Sequence, residues 1–173
     1  NLPQNTTRLA IANQMLAIFK KHHISGVYGF LNADMVGKDK NNMAVLQAWL
    51  NNGQRLGNHT FSHIDLAKVD TENYIHNIKK NESLLTRLMK NKNYKYFRYP
   101  YLSEGNTQEK RDQTRNFLFA NGYQIAPVTV DFFEYEWADP YIRCINKNDK
   151  ESIAWLKQTY LEQSINAITI AHQ

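Results

Sequence analysis

Apolar positions along this chain fall into two patterns, one repeating near the helical period and one of short continuous runs. Thr7 to Lys21 places Leu9, Ile11, Met15, Leu16, Ile18 and Phe19 at roughly helical spacing, with Asn5, Thr6 or Thr7 available as an N-cap. Ile24 to Leu31 is short, apolar and aromatic, and predicts a strand. Asn42 to Asn51 predicts a helix stopped by Gly53, a usual residue just past a helix end. Gln54 to Thr60 predicts a strand running into His59. Asp70 to Met89 predicts a long helix capped by Asp70 or Thr71, with Tyr74, Ile78, Leu85 and Leu88 on its buried side. Tyr94 to Arg98 is strand-like and is ended by Pro100. A helix from Thr107 to Ala120 leads through Asn121-Gly122 into a strand from Tyr123 to Val130. Lys150 to Gln163 is again helical, and Ala167 to Ala171 predicts the last strand.

This β/α alternation without long hairpins predicts an α/β fold, a mostly parallel sheet with helices outside, open or closed into a barrel. No internal repeat, low-complexity tract or Pro/Gly/Ser linker interrupts it, so one domain is expected over residues 1–173. His59, Arg98, Asp131 and His172 each fall at, or just after, the C-terminal end of a predicted strand. That edge is where active sites assemble in α/β folds.

Composition changes the picture little. The formal charge is +5 and the pI about 9.2, which suits nucleic acid, anionic lipid or an anionic cell-wall polymer. The lysines and arginines are dispersed, however, so a solvated surface is expected and a nucleic-acid stripe is not. The single Cys144 excludes an internal disulfide and a cysteine-based zinc cluster. No apolar run approaches the roughly 18 residues that a membrane span needs. The chain starts at Asn1-Leu2-Pro3 without Met and stops directly after an apolar run, so truncation at both ends is expected.

His59-Thr60-Phe61-Ser62-His63 sets two imidazoles four residues apart. On one helical turn both would face the same way and could grip one metal ion. Neutral imidazole suits zinc, cobalt or nickel better than calcium or magnesium. In a chain with six histidines such a pair also arises by chance. A hydrolytic metal takes a third protein ligand, often a carboxylate, and no acidic residue precedes Thr7. In Arg98-Tyr99-Pro100-Tyr101, Pro100 forces a turn that frees the Tyr101 N–H to act as half of an oxyanion hole. Arg98 is then a permanent cation able to orient a carboxylate, or else a surface arginine beside a strand-ending proline. Asp131 is placed to pair with Arg98 or to fix a histidine tautomer, or is a solvated loop carboxylate. His172 is a candidate general acid, or an ordinary histidine.

Taken in order, these segments resemble the polysaccharide deacetylase family, the NodB-homology or carbohydrate esterase family 4 domain, over nearly the whole chain. His59-Thr60-Phe61-Ser62-His63 is similar to the family's His-Ser/Thr-x-x-His metal motif, and Arg98-x-Pro100-Tyr101 to its Arg-x-Pro-Tyr motif. Asp131-x-x-Glu134-Tyr135 looks like a looser version of Asp-x-x-Asp-Trp, and Ile170-x-His172 resembles Leu-x-His. The resemblance implies a distorted (β/α) barrel and metal-assisted hydrolysis of N-acetyl groups on a glycan. His59 and His63 would hold the metal, usually zinc, sometimes cobalt or nickel. The Tyr101 N–H would stabilise the oxyanion and His172 would protonate the leaving amine. Arg98 and Asp131 would form a supporting charge network, with Tyr101, Tyr135 and Trp137 lining the sugar groove. A secreted or periplasmic location is implied as well. Asn1-Leu2-Pro3 looks like the tail of the family's first motif, which ends in two aspartates, a catalytic base and a metal ligand. Asn1 would then sit at or beside the metal-ligand position, with the aspartates before it or with Asn replacing an acid. The other readings are a glycan-binding relative without the chemistry and a metal amidase acting on a small non-sugar amide.

Overall fold

The computed structural model describes residues 2–3, 5–90 and 92–172. The expectation about Asn1 therefore lies outside the described residues. In chain order the elements are α1 (Arg8–Lys21), β1 (Tyr28–Leu31), α2 (Ala33–Lys38), α3 (Lys40–Asn51), β2 (Arg55–Asn58), α4 (Thr71–Met89), β3 (Tyr96–Phe97), α5 (Gln108–Ala120), β4 (Gln124–Ile125), α6 (Ala138–Asn146) and α7 (Lys150–Ala171). Short 3-10 turns lie at Leu66–Lys68, Pro100–Leu102 and Glu134–Trp137. The chain divides into two compact units, residues 8–127 and a second that joins the residues up to Thr7 with Val128 onward.

In the larger unit the sheet has the order β1-β2-β3-β4, every pair parallel. Parallel neighbours need a crossover, and α3, α4 and α5 supply them in turn. The strands are shorter than the apolar runs because punctuating residues trim them. Gly26, at φ +74°, turns the chain just before β1, so the strand expected from Ile24 begins at Tyr28. After the Ala126 N–H bonds the Phe97 carbonyl at 2.8 Å, Pro127 has no N–H to continue the ladder. The strand expected from Tyr123 to Val130 is accordingly the two residues of β4, and Asp131 does not directly follow a strand. In β2, a Cβ on Gly57 would lie 2.8 Å from the Phe30 ring and 2.8 Å from the Tyr96 carbonyl oxygen. Glycine lets the neighbouring strands approach there.

Helix α4 fastens this sheet. Tyr74, Ile78, Asn81, Leu85 and Met89 recur every three or four residues and are all buried. Asp70 caps the helix by accepting from the Asn73 N–H at 2.7 Å. Tyr74 and Ile78 pack with Leu66, Phe97, Tyr99, Leu118 and Tyr123, whereas Leu85 and Met89 pack with Leu31 and Leu56. Between the two apolar clusters sits Asn81, fully buried in mid-helix and fully used. Its amide donates to the Leu31 carbonyl at 2.7 Å and to Asn58 Oδ1 at 2.8 Å, and its Oδ1 accepts from the Ala33 N–H at 2.9 Å. Asn58 in turn donates to the Ile78 carbonyl and the Tyr123 hydroxyl, and Tyr123 donates to Glu82, which pairs with Lys95 at 2.6 Å. This polar seam ties the C-terminal ends of β1 and β2 to α4.

In the smaller unit the expected last strand is absent. Ala167 to Ala171 is the final part of α7, and His172 is the C-cap of that helix rather than a strand-end residue. The reason is local. No glycine or proline interrupts the run from the N-cap Asp149 to Ala171. Two polar side chains along it bond back onto the helix, Ser164 Oγ to the Tyr160 carbonyl at 2.7 Å and Thr169 Oγ1 to the Ile165 carbonyl at 2.9 Å. β-branched Ile and Thr lower helix propensity by only tenths of a kcal/mol, roughly, per residue.

Candidate active site

His59 directly follows β2, and its position is set by the strands on either side. Its N–H bonds the Leu31 carbonyl at 3.2 Å, and the Arg98 N–H bonds the preceding Asn58 carbonyl at 3.1 Å. The ring nitrogen Nδ1 lies 2.7 Å from the Arg98 carbonyl. A carbonyl can only accept, so Nδ1 carries the proton and Nε2 keeps its lone pair. Burial pushes the His59 imidazole down to about 4, against the upward pull of its bond to the Arg98 carbonyl and with smaller downward pushes from the charges of His63 and Arg98. His59 is therefore neutral at ordinary pH, the state in which imidazole ligates metals.

The run from His59 to His63 is not a helical turn. Thr60 and His63 both have positive φ, 64° and 56°, and the segment is a loop pinned from outside. Asn58 Oδ1 accepts from the Thr60 N–H at 3.0 Å, and Asn77 on α4 accepts from the N–H groups of Phe61 and Ser62. The loop nonetheless sets the two imidazoles edge to face, ring centroids 4.8 Å apart. The histidines meet, but because α4 and Asn58 hold the loop rather than through helical spacing.

Tyr101 lies on the other side of His63, with ring centroids 4.7 Å apart. Its backbone is left-handed, φ 58°, in the turn begun by Pro100. The next two N–H groups close that turn onto Tyr99 and Pro100, while among the described residues the Tyr101 N–H has no hydrogen-bond acceptor. Arg98 stacks its guanidinium 4.3 Å from the centre of the Phe30 ring and donates from Nε to the Ala126 carbonyl at 3.3 Å. His59, His63, Arg98 and Tyr101 are thus brought together in one unit. Asp131, Tyr135, Trp137 and His172 belong to the other. There Asp131 accepts from the Phe133 N–H at 3.0 Å, Tyr135 is exposed against Phe133, and Trp137 packs edge-on to Tyr160. Phe30, Asn58, Asn77 and Asn81 were missed in the sequence. Two asparagines predicted to lie within strand or helix, Asn58 and Asn81, were the one available signal.

The two imidazoles fit a borderline divalent metal such as zinc. His59 is neutral, bears its lone pair on Nε2 and is oriented by a carbonyl on its other nitrogen, the usual arrangement of a ligating histidine. Among the described residues no group of three His, Cys, Asp or Glu side chains is assembled, so the pair is a partial ligand set.

Comparison with known proteins agrees with this geometry. Residues 7–125 match the family described as Polysaccharide deacetylase, and the chain belongs to that family. It is 32% identical over 126 residues to a peptidoglycan-N-acetylglucosamine deacetylase of Bacillus cereus, covering 72% of this chain and 42% of that protein. It is 28% identical over 126 residues to a chitin deacetylase of Arthroderma benhamiae, covering 73% of this chain and 32% of the relative. The chain thus spans well under half the length of these two relatives. Among solved structures it is similar to a polysaccharide deacetylase of Bacillus cereus, with TM-score 0.63, 18% identity, and coverage of 92% of this chain and 69% of that one. A carbohydrate esterase family 4 pseudoenzyme of Bacillus anthracis matches with TM-score 0.58 and 18% identity over 86% of this chain and 56% of that one. The fold is the α/β, distorted-barrel type of these deacetylases.

Proposed function

We propose that this chain carries a metal-dependent hydrolase that removes N-acetyl groups from N-acetylhexosamine units of a polysaccharide. The observation that supports it best is the neutral, carbonyl-oriented His59 meeting His63 beside a Tyr101 N–H that has no acceptor among the described residues, in a chain of this family. His59 and His63 would hold a divalent metal, with zinc the best match and cobalt or nickel compatible. When bound, such a metal supplies Lewis acidity at the amide carbonyl. The Arg98 carbonyl keeps the His59 ring turned and its tautomer set. The Tyr101 N–H, fixed by the Pro100 turn, donates to the amide oxygen as negative charge develops on it, and the Tyr101 ring walls the site next to His63. His172 as proton donor to the leaving amine, Asp131 as partner of Arg98, and Tyr135 and Trp137 as sugar contacts rest on the motif resemblance. For His172 the helix-end placement removes the strand-end argument. The relatives' named substrates, chitin and peptidoglycan, make a secreted or periplasmic site of action the matching proposal.

The partial ligand set favours a second reading, a glycan-binding relative without catalysis. Acetate release from N-acetylglucosamine oligomers and from peptidoglycan, with and without added zinc or cobalt, separates the two. Metal-dependent release that disappears in His59→Ala supports the hydrolase. Glycan binding by a folded protein that releases no acetate with any metal supports the second reading.

A further inference from the structure

Two hollows lie end to end beside α4 in the larger unit. The first, about 510 Å³, is lined by Ala33, Val36 and Gly37 of α2, Met43 of α3, Phe61 of the histidine loop, and Lys80, Ser83, Leu84 and Arg87 of α4. The second, about 480 Å³, is lined by residues of α3 and by Arg87, Leu88, Met89, Lys90 and Lys92. Arg87 lines both, so they adjoin along one grooved face of α4, and the first reaches Phe61, two residues in sequence from both His59 and His63. The helical rise puts Lys90 about 15 Å beyond Lys80 along α4.

The groove is charged on one sign. Among the described residues no carboxylate lines either hollow, and Lys80, Arg87, Lys90 and Lys92 make no ion pair. The carboxylates Asp34 of α2 and Glu82 of α4 are each engaged elsewhere, with Lys38 and Lys95, both at 2.6 Å. Lys80 rests on the face of Phe61, 4.0 Å from its ring centre. The lining thus offers aliphatic walls for the body of a sugar, with Lys80 covering a face of Phe61, and cations without ion pairs for acidic groups spaced along a chain. A neutral polymer would leave those cations unused.

We propose that this groove binds a polysaccharide bearing carboxylates on its sugar units, so that the substrate is an acidic N-acetylated glycan rather than a neutral one. The inference rests on the deacetylase reading for the word substrate, whereas the binding stands by itself. The test measures equilibrium binding of the full chain to hyaluronan oligosaccharides, which carry one carboxylate per N-acetylated disaccharide, and to the neutral N-acetylglucosamine hexamer. Binding to hyaluronan is expected to be the tighter and to weaken with added salt. The double variant Lys80→Gln/Arg87→Gln is expected to weaken hyaluronan binding by about fivefold, with the hexamer unaffected and the Lys80→Arg/Arg87→Lys protein restored. Equal affinity for the two glycans, or an equal loss for both in the double variant, overturns the proposal. Competition by short polyphosphate as strong as by hyaluronan of equal charge also overturns it, because the surface is then a general anion patch. Acetate release is read in parallel on both glycans with added zinc. Its absence from both with hyaluronan selectivity intact sinks the deacetylase reading and leaves the groove, whereas release without hyaluronan selectivity sinks the groove.

Discussion

The Arg98 carbonyl accepts a hydrogen bond from Nδ1 of His59 at 2.7 Å, so the backbone of one strand end sets the tautomer of the histidine on the next. His59 therefore keeps the lone pair on Nε2, with the His63 ring 4.8 Å away centre to centre. The link is through the backbone of Arg98 and leaves its guanidinium to stack on Phe30.

Burial of His59, partly opposed by that bond, makes stability pH-dependent in one direction. The folded pKa of His59, about 4, lies below its ordinary 6.5, so the unfolded chain takes the proton first as pH falls. Its contribution is complete well above pH 6.5 and is lost as pH falls from there through 4, an effect of about 3 kcal/mol. Denaturant titrations of metal-free protein across this range are expected to show that decline, reduced in His59→Ala. Equal slopes in the two proteins would contradict it.

Gly57→Ala is expected to lower stability by roughly 1–3 kcal/mol, because the added methyl meets a ring and a backbone carbonyl oxygen that cannot both retreat. The strain falls two residues before His59. Metal affinity, read by competition with a chromogenic chelator, is expected to fall as well. Unchanged midpoints in urea would show that the sheet yields more easily than its packing suggests.

Asn81→Ala leaves the Ala33 N–H without its acceptor and removes one of the donors to the Leu31 carbonyl and to Asn58 Oδ1 in a buried seam. A loss of about 2–4 kcal/mol is expected, larger than for truncating an exposed α4 residue such as Ser83. Thermal unfolding of both variants checks the difference.

Tyr101→Gly keeps the backbone donor, relieves the left-handed strain at φ 58° and removes the ring beside His63. Stability is expected to hold or rise by up to about 1 kcal/mol. If the N–H carries the oxyanion role, kcat for acetate release stays within about tenfold while KM rises, since a single lost donor costs roughly a hundredfold or more. A hundredfold drop in kcat would assign the role to the side chain.

The order of elements was legible in the sequence because it depends on local periodicity and caps. Asp70, Thr107, Gly53 and Pro100 mark boundaries that the structure keeps within a residue or two. The strand ends at His59 and Arg98 were legible for the same reason, and with them the chance that the two segments share an edge. The last strand was not, because Ile165, Ile168 and Ile170 fit either a strand or a helix, and the uninterrupted run from the Asp149 cap continues as helix. The dispersed lysines hid a groove in the same way. Lys80, Arg87, Lys90 and Lys92 are scattered in sequence, and α4 together with its neighbours turns them toward common hollows.

By itself, then, the sequence determined the βα alternation, the family motifs and the residue types able to ligate and polarise. Tertiary structure decided that His59 is neutral and turned by Arg98, and that His63 reaches it through a pinned loop rather than a helical turn. It also decided that, among the described residues, the Tyr101 N–H is left without an acceptor. The physical reason is that periodicity and capping act over a few neighbouring residues. Burial, tautomer and the pairing of a backbone group are set by atoms that the fold brings from distant parts of the chain.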